Sequence, residues 1–113
     1  MKRGDIYYVN NIGGRIGSEQ HAGRPAIIVS NDRSNERSGT VEVVFCTTKP
    51  KCDSPTHVTV RSTYFPSTAL CEQITTVSKE RLGRYVGTCT ETEMSNLGTA
   101  IEISLGIGEH AYV

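Results

Sequence analysis

The stretch GSEQHAGRPAIIVSND, Gly17 to Asp32, joins two kinds of sequence. Its first half is small, polar and charged, as loops are. Its second half, PAIIVS (Pro25–Ser30), is a short apolar run that predicts a buried strand. Pro25 stands at the first strand position, where a missing N–H is tolerated, and it restricts Arg24 to extended backbone conformations. The stretch therefore predicts a strand that begins beside an arginine with a fixed direction.

Other runs of apolar and β-branched residues predict further strands. These are DIYYV (Asp5–Val9), TVEVVFCTT (Thr40–Thr48), THVTV (Thr56–Val60), STALCEQITTV (Ser67–Val77) and RYVGTCT (Arg84–Thr90). Asn10–Gly23 carries four glycines and predicts a long loop, and Asn31–Gly39 predicts a polar turn. Many short strands followed by a late helix predict a mostly β fold, a small antiparallel barrel.

Helix signals are confined to the second half of the chain. Ser78–Gly83 offers a serine cap and a stopping glycine, enough for one turn. Thr90 and Glu93 have the spacing of a capping box and predict the start of a C-terminal helix. Its apolar residues recur every three or four positions, which predicts one stripe packed on the core. The stripe consists of Met94, Leu97, Ile101 and Leu105.

Length and composition predict one domain spanning residues 1–113. No apolar run approaches the roughly 20 residues that a bilayer requires, and no signal peptide is recognised, so we expect a cytoplasmic protein with reduced cysteines. The net charge is zero, which argues against a protein that simply coats nucleic acid. Residues 1–61 nevertheless carry nine Lys/Arg against six Asp/Glu, so a local anion site is compatible with this half.

Arg24 is the strongest candidate for chemistry. A guanidinium binds phosphate through two parallel hydrogen bonds and stays charged at any relevant pH. Thr47 and Thr48 end the strongest predicted strand, where threonine is also expected on propensity alone. Among the histidines, His21 in the glycine-rich loop is a minor acid–base candidate, whereas His57 in a strand is more readily explained as a surface or packed residue.

The chain resembles the MazF/PemK family of toxin endoribonucleases. The matching pieces cover most of residues 2–83 in the family's order, and their combination is specific although each alone is weak. They are KRGDIYYVN, GSEQHAGRPAIIVSND, VVFCTTK, PTHVTV and ALCEQITTVSKERLG. The resemblance implies an SH3-like barrel of the CcdB/MazF type with a C-terminal helix, working as a cytoplasmic homodimer. It implies cleavage of single-stranded RNA without metal or cofactor, leaving a 2′,3′-cyclic phosphate and a 5′-hydroxyl. It also implies a cognate antitoxin, with DNA contacted only through the antitoxin complex.

The resemblance also implies roles for individual residues. Arg24 and, at the following strand, Thr47 are the implied catalytic positions, with Thr48 as the neighbouring alternative. In the attack of the ribose 2′-OH on its own phosphate, we expect Arg24 to stabilise charge and to be a candidate acid, and Thr47 to donate a hydrogen bond. Arginine is a poor base by its reference pKa, so Glu19 is the candidate base or loop organiser. RNA contacts are implied for Ser18, Gln20, Thr48 and Gln73.

Two other classes of function compete with this hypothesis. A CcdB-like toxin would bind DNA gyrase without cutting RNA, and it would need no catalytic arginine. An SH3-like adaptor would bind proline-rich peptides in an aromatic groove. Aromatic residues are only 6% of the chain and tryptophan is absent, which disfavours the adaptor.

Overall fold

The computed structural model describes residues 1–10, 23–49 and 51–110. In this part of the chain six strands and two α-helices follow one another. They are β1 (Asp5–Val9), β2 (Arg24–Ile28), α1 (Asp32–Arg37), β3 (Thr40–Thr47), β4 (His57–Val60), β5 (Ser67–Ser78), β6 (Leu82–Thr88) and α2 (Glu91–Leu105). Single 3₁₀ turns lie at Lys79–Arg81 and Gly108–His110. The predicted strands are confirmed, with ends shifted by one or two residues.

The six strands form one antiparallel sheet in the order β4-β5-β3-β2-β1-β6. The sheet curls until its two ends approach each other. A Cβ placed on Gly87 of β6 would lie 2.6 Å from the carbonyl oxygen of Ser62, in the connection after β4. The Tyr8 and Tyr64 rings also meet there, with centroids 6.4 Å apart. This closure and the C-terminal helix confirm the predicted small barrel.

Alternating side chains build a core on each face of the sheet. On the α2 side, Leu97 of the helix packs with Ile27 and Val44 of the central strands. On the other side, Val9, Ala26 and Val43 pack with neighbouring β-branched residues, and the ring of Phe45 partly covers them. Helix α2 packs on the first face, so an open site on the sheet is expected on the second.

The start of α2 is as predicted. Thr90 accepts a hydrogen bond from the Glu93 N–H at 3.1 Å, and Glu93 accepts one from the Thr90 N–H at 2.9 Å, which completes the capping box. The predicted stripe is only partly correct. Leu97 is buried and Met94 and Ile101 pack on the core, but Leu105 is 58% exposed because it lies at the last turn, beyond the sheet.

The prediction of a polar turn at Asn31–Gly39 was wrong, because α1 occupies Asp32–Arg37. Asn31 caps this helix by accepting a hydrogen bond from the Ser34 N–H at 2.8 Å. Only Asn35 of its six residues is buried, and that side chain donates to the Ser30 carbonyl at 3.0 Å. The helix therefore shows no apolar stripe, which is the signal that sequence patterning relies on.

Candidate active site

Arg24 begins β2, and its side chain is exposed. Its backbone pairs with Val9 of β1, so the extended conformation predicted from Pro25 is present. The guanidinium carbon lies 4.8 Å from the centroid of the Phe45 ring on β3. This contact holds the side chain over the face opposite α2. Sequence patterns do not single out Phe45, because its contact with Arg24 depends on the register between β2 and β3.

Thr47 lies beside Arg24 on the next strand. The β2–β3 ladder pairs Ala26 with Phe45, and the same register continued by two residues places Arg24 opposite Thr47. Residues directly opposite each other in adjacent strands point to the same face. The Thr47 hydroxyl oxygen accepts a hydrogen bond from the Lys49 N–H at 3.1 Å, so its proton remains available to another acceptor. Thr48 is exposed just beyond the strand end.

The row of polar side chains continues across the sheet. Thr47 pairs with Thr68 of β5, and Thr68 pairs with Thr59 of β4. Thr68 and Thr59 line a cavity of about 430 Å³, here called the Thr68 cavity, whose other walls include Lys51, Cys52, Asp53 and His57. The Arg24 guanidinium, three threonine hydroxyls and the adjoining cavity thus lie on one face of the sheet.

Gln73 lies in an interruption of the β3–β5 ladder. Val44 pairs with Ile74 and Cys46 with Ala69, so Phe45 alone stands opposite residues 70–73, here called bulge 70–73. Gln73 is exposed in this bulge. The structure therefore brings Arg24, Thr47 and Gln73 around Phe45. The other predicted site residues, Ser18, Glu19, Gln20 and His21, lie outside the described residues.

His57, which lines the same cavity, forms a hydrogen-bonded pair with Glu72. His57 Nε2 lies 3.1 Å from Glu72 Oε2, and His57 Nδ1 lies 2.9 Å from the Cys52 carbonyl oxygen. The hydrogen bond to Cys52, supported by Glu72, raises the pKa of His57. Burial alone would raise the pKa of Glu72, but hydrogen bonds, including those from Thr56 and His57, lower it overall. Sequence reasoning treated His57 as a surface or packed residue and gave Glu72 no role.

Three of the four cysteines are buried and offer no activated nucleophile. All four lie in the described residues as free thiols. Burial raises the pKa of Cys46, Cys71 and Cys89 to about 12, so these thiols are neutral and unreactive at physiological pH. Cys52, by contrast, is exposed. Within residues 1–10, 23–49 and 51–110, no group of three His, Cys, Asp or Glu residues is arranged to hold a metal ion.

A family model described as the PemK-like, MazF-like toxin of type II toxin–antitoxin systems matches residues 2–105. The chain belongs to this PemK/MazF toxin family. Among the relatives of this PemK/MazF chain is the endoribonuclease MazF of Staphylococcus saprophyticus, which is 37% identical over 95% of this chain and 92% of the relative. This PemK/MazF chain is therefore an endoribonuclease as well. The membership selects the nuclease over the CcdB-like and adaptor alternatives.

Solved structures support the same assignment of the PemK/MazF fold. An endoribonuclease from a mycobacterial species, in complex with its cognate antitoxin, superposes with a TM-score of 0.80 at 28% identity, covering 96% of this chain and 97% of the other. MazF of Deinococcus radiodurans superposes with a TM-score of 0.77 at 18% identity, over 95% and 97% of the two chains. The second likeness shows the fold alone. In the described part of the PemK/MazF chain, each helix is too short or too polar to cross a bilayer.

Proposed function

We propose that this protein is a sequence-specific endoribonuclease that cuts single-stranded messenger RNA without a metal ion, as the toxin of a toxin–antitoxin pair in the cytoplasm. The carrying observation is the pairing of Ala26 with Phe45, whose register, continued by two residues, brings Arg24 opposite Thr47 on the face away from α2. A planar cation beside a hydroxyl donor matches the non-bridging oxygens of one phosphate. The family membership supplies the substrate class.

The proposed reaction uses a nucleophile from the substrate. The ribose 2′-oxygen attacks the neighbouring phosphorus and loses its proton, while the bond to the 5′-oxygen breaks and that oxygen gains a proton. The products are a 2′,3′-cyclic phosphate and a 5′-hydroxyl. Negative charge grows on the phosphorane oxygens, where a preorganised guanidinium is most effective.

Three side chains then take part in this proposed reaction. Arg24 stabilises the phosphorane and is the candidate acid for the leaving oxygen. Thr47 donates a hydrogen bond to a phosphate oxygen, because its own oxygen already accepts one from the Lys49 N–H and its proton is free to face RNA. Glu19 is proposed as the base or as the organiser of its loop, since the reference pKa of arginine is too high for that task.

RNA on either side of the cut would contact residues around this pair. Ser18 and Gln20 are proposed on the loop before Arg24, and Thr48 follows Thr47 directly in the chain. Gln73 is exposed in bulge 70–73, opposite Phe45. A base or ribose lying against Phe45 would be within reach of Arg24, Thr47 and Gln73.

We also propose a homodimer and an antitoxin partner. Leu105 and Ile107 are 58% and 48% exposed at the end of α2, so an apolar surface continues past the fold's own core. A second copy would cover such a surface, and sedimentation of an active monomer at assay concentration would contradict this. The mycobacterial relative bound to its cognate antitoxin supports a corresponding protein partner, through which DNA would be contacted only indirectly.

The test compares matched substrates and one matched pair of variants. In excess EDTA the protein should cut a single-stranded RNA and leave a cyclic phosphate, identified by mass. A substrate with one 2′-deoxy sugar at the cut position should resist cleavage there, since it lacks the nucleophile.

Arg24→Ala should lose roughly 10²–10³ in rate and remain folded because Arg24 is exposed. Arg33→Ala, an exposed arginine on α1, should cleave normally. Cleavage of the deoxy substrate at the same bond would refute the mechanism.

A further inference from the structure

The surroundings of His57 set its protonation state. One ring nitrogen faces the Cys52 carbonyl oxygen at 2.9 Å, and the other faces a Glu72 carboxylate oxygen at 3.1 Å. A carbonyl and an ionised carboxylate accept hydrogen bonds and have no proton to give. Both imidazole nitrogens must therefore donate, which requires the doubly protonated ring. The arrangement therefore favours the protonated, cationic form of His57.

The two hydrogen-bond acceptors of His57, the Cys52 carbonyl and the Glu72 carboxylate, lie in separate segments of the chain near the Thr68 cavity. Cys52 is in residues 51–56 of the connection between β3 and β4, here called loop 51–56, and Glu72 is in bulge 70–73. Thr56 strengthens the link, since its hydroxyl donates to Glu72 Oε1 at 2.9 Å. The Glu72 carboxylate is thereby held by one residue on each side of the start of β4. His57 thus ties a loop to a bulge through one ring.

The location of the Thr68 cavity suggests a function for the hydrogen bonds of His57. The Thr68 cavity opens beside the Thr47–Thr68 pair, so it adjoins the proposed cleavage site on the same face. Its volume of about 430 Å³ is within the range of small-molecule sites. Lys51 offers a cation for a phosphate, and Thr59 and Thr68 offer hydroxyls for ribose or base edges.

We propose that the Thr68 cavity takes a nucleotide of single-stranded RNA next to the cut, and that charged His57 is the positioning residue that fixes loop 51–56, one of its walls. This inference rests on the proposed function and names a subsite for it. His57 contacts neither the phosphate nor the reacting atoms in this scheme. Its contribution is to hold loop 51–56 and bulge 70–73 at one separation.

The positioning is pH-dependent by construction. A neutral imidazole has one N–H, so loss of a proton breaks either the hydrogen bond to Cys52 or the one to Glu72. The charged groups that face the ring's surroundings are Glu72 from β5, which favours the cation, and Lys51 from loop 51–56, which opposes it. Asp53 of the same loop lines the cavity as well. Above the pKa of His57, we expect a looser cavity and weaker RNA binding.

The first measurement follows the His57 ring nitrogens by NMR without RNA. Both should carry protons at pH below the His57 transition, and Glu72→Gln should shift that transition to lower pH because it removes the facing charge. The second measurement is KM and kcat on a single-stranded RNA between about pH 6 and pH 9. KM should rise roughly fivefold across the transition, as expected for one lost net hydrogen bond, with a smaller change in kcat.

Variants separate this role from general structural damage. His57→Gln should have a raised KM that no longer depends on pH in this window, with its fold checked by circular dichroism. His110→Gln, in the C-terminal 3₁₀ turn, should keep the wild-type profile. If His57→Gln does not fold, Glu72→Gln supplies the same comparison.

Three results would overturn the inference. They are a neutral His57 ring below neutral pH, a wild-type KM profile in His57→Gln, and an unchanged profile in Glu72→Gln. Failure of the proposed function is distinguishable, since it would appear as no RNA cleavage by the wild type at any pH. In that case the subsite falls with it, even where the His57 titration is as expected.

Discussion

The guanidinium of Arg24 lies over the ring of Phe45, with 4.8 Å between the guanidinium carbon and the ring centroid. Phe45 is partly buried against the core on the face opposite α2. An exposed cation held over an aromatic ring gains about 0.5–1 kcal/mol. The proposed catalytic cation therefore has a preferred position before RNA arrives, although it is exposed among the described residues.

Phe45→Leu should lower kcat by roughly three- to tenfold, because the ring that orients Arg24 is lost while an apolar side chain still fills the core. A smaller change is expected in KM. The measurement is a double-mutant cycle with Arg24→Ala. In the absence of Arg24, Phe45→Leu should have almost no further effect on rate. Equal effects in both backgrounds would show that Phe45 acts independently of Arg24.

Thr47 and Thr48 are distinguished by the same isosteric change. Thr47→Val should reduce kcat by about tenfold or more, since it removes the hydroxyl donor that faces the Arg24 side of the sheet. Thr48→Val should have a mild effect, confined to KM, because Thr48 is exposed past the strand end. Single-turnover rates on one RNA measure both variants. A larger rate loss in Thr48→Val would exchange the two assignments.

Glu93 joins the start of α2 to the segment after β4. Its carboxylate accepts from the Arg61 N–H at 2.7 Å, the Ser62 hydroxyl at 2.6 Å and the Thr90 N–H at 2.9 Å. Burial opposes ionisation, but these hydrogen bonds lower the pKa of Glu93 overall. A lowered folded-state pKa means stabilisation above the unfolded-state pKa that is lost as pH falls through the folded value.

Glu93→Gln should therefore lower the free energy of unfolding by about 1–2 kcal/mol near neutral pH. The deficit should shrink as the medium is acidified through the lowered pKa, since the wild-type carboxyl is then protonated too. Urea unfolding at several pH values measures it. Glu91→Gln removes the same charge from the same helix turn without touching the three hydrogen bonds, and it should cost much less. A deficit independent of pH would exclude the ionised carboxylate as its source.

Gly87 and Gly98 should respond oppositely to alanine. A Cβ at Gly87 would be 2.6 Å from the Ser62 carbonyl oxygen, so Gly87→Ala should destabilise the barrel by about 1–3 kcal/mol. A Cβ at Gly98 would meet nothing within 4 Å, and the residue lies inside α2, so Gly98→Ala should stabilise by roughly 0.5–1 kcal/mol. Thermal unfolding of both variants is the measurement, and equal stability would contradict the closure described.

Local patterns predicted most of the fold. The β-branched run Thr40–Thr47 and the capping box of Thr90 and Glu93 are written in neighbouring residues, so both were found without tertiary information. Helix α1 was missed because it buries only Asn35 and packs through a polar side chain. The exposure of Leu105 depends on where the sheet ends, which helical periodicity does not contain.

The candidate site was predicted less completely. Arg24 and Thr47 are singled out in the sequence and their catalytic roles stay predictions, whereas their opposition is a property of register between two strands. The Arg24–Phe45 contact and the His57–Glu72 pair join residues 21 and 15 positions apart, beyond the reach of short-range patterns. The roles given to Ser18, Glu19 and Gln20 stay predictions.

The pairing of β1 with β6 bears on how the chain is made. Asp5 pairs with Thr88, and the Thr88 hydroxyl donates to the Asp5 carboxylate at 2.9 Å across 83 residues of sequence. A ribosome releases the N-terminus first, so β1 can pair with β2 early but keeps an open edge until β6 emerges. Premature termination before Leu82 would leave that edge exposed to other strands. Interrupted translation would thus yield an aggregation-prone fragment. The toxin's barrel is complete only after β6, the last strand of the sheet, has been synthesised.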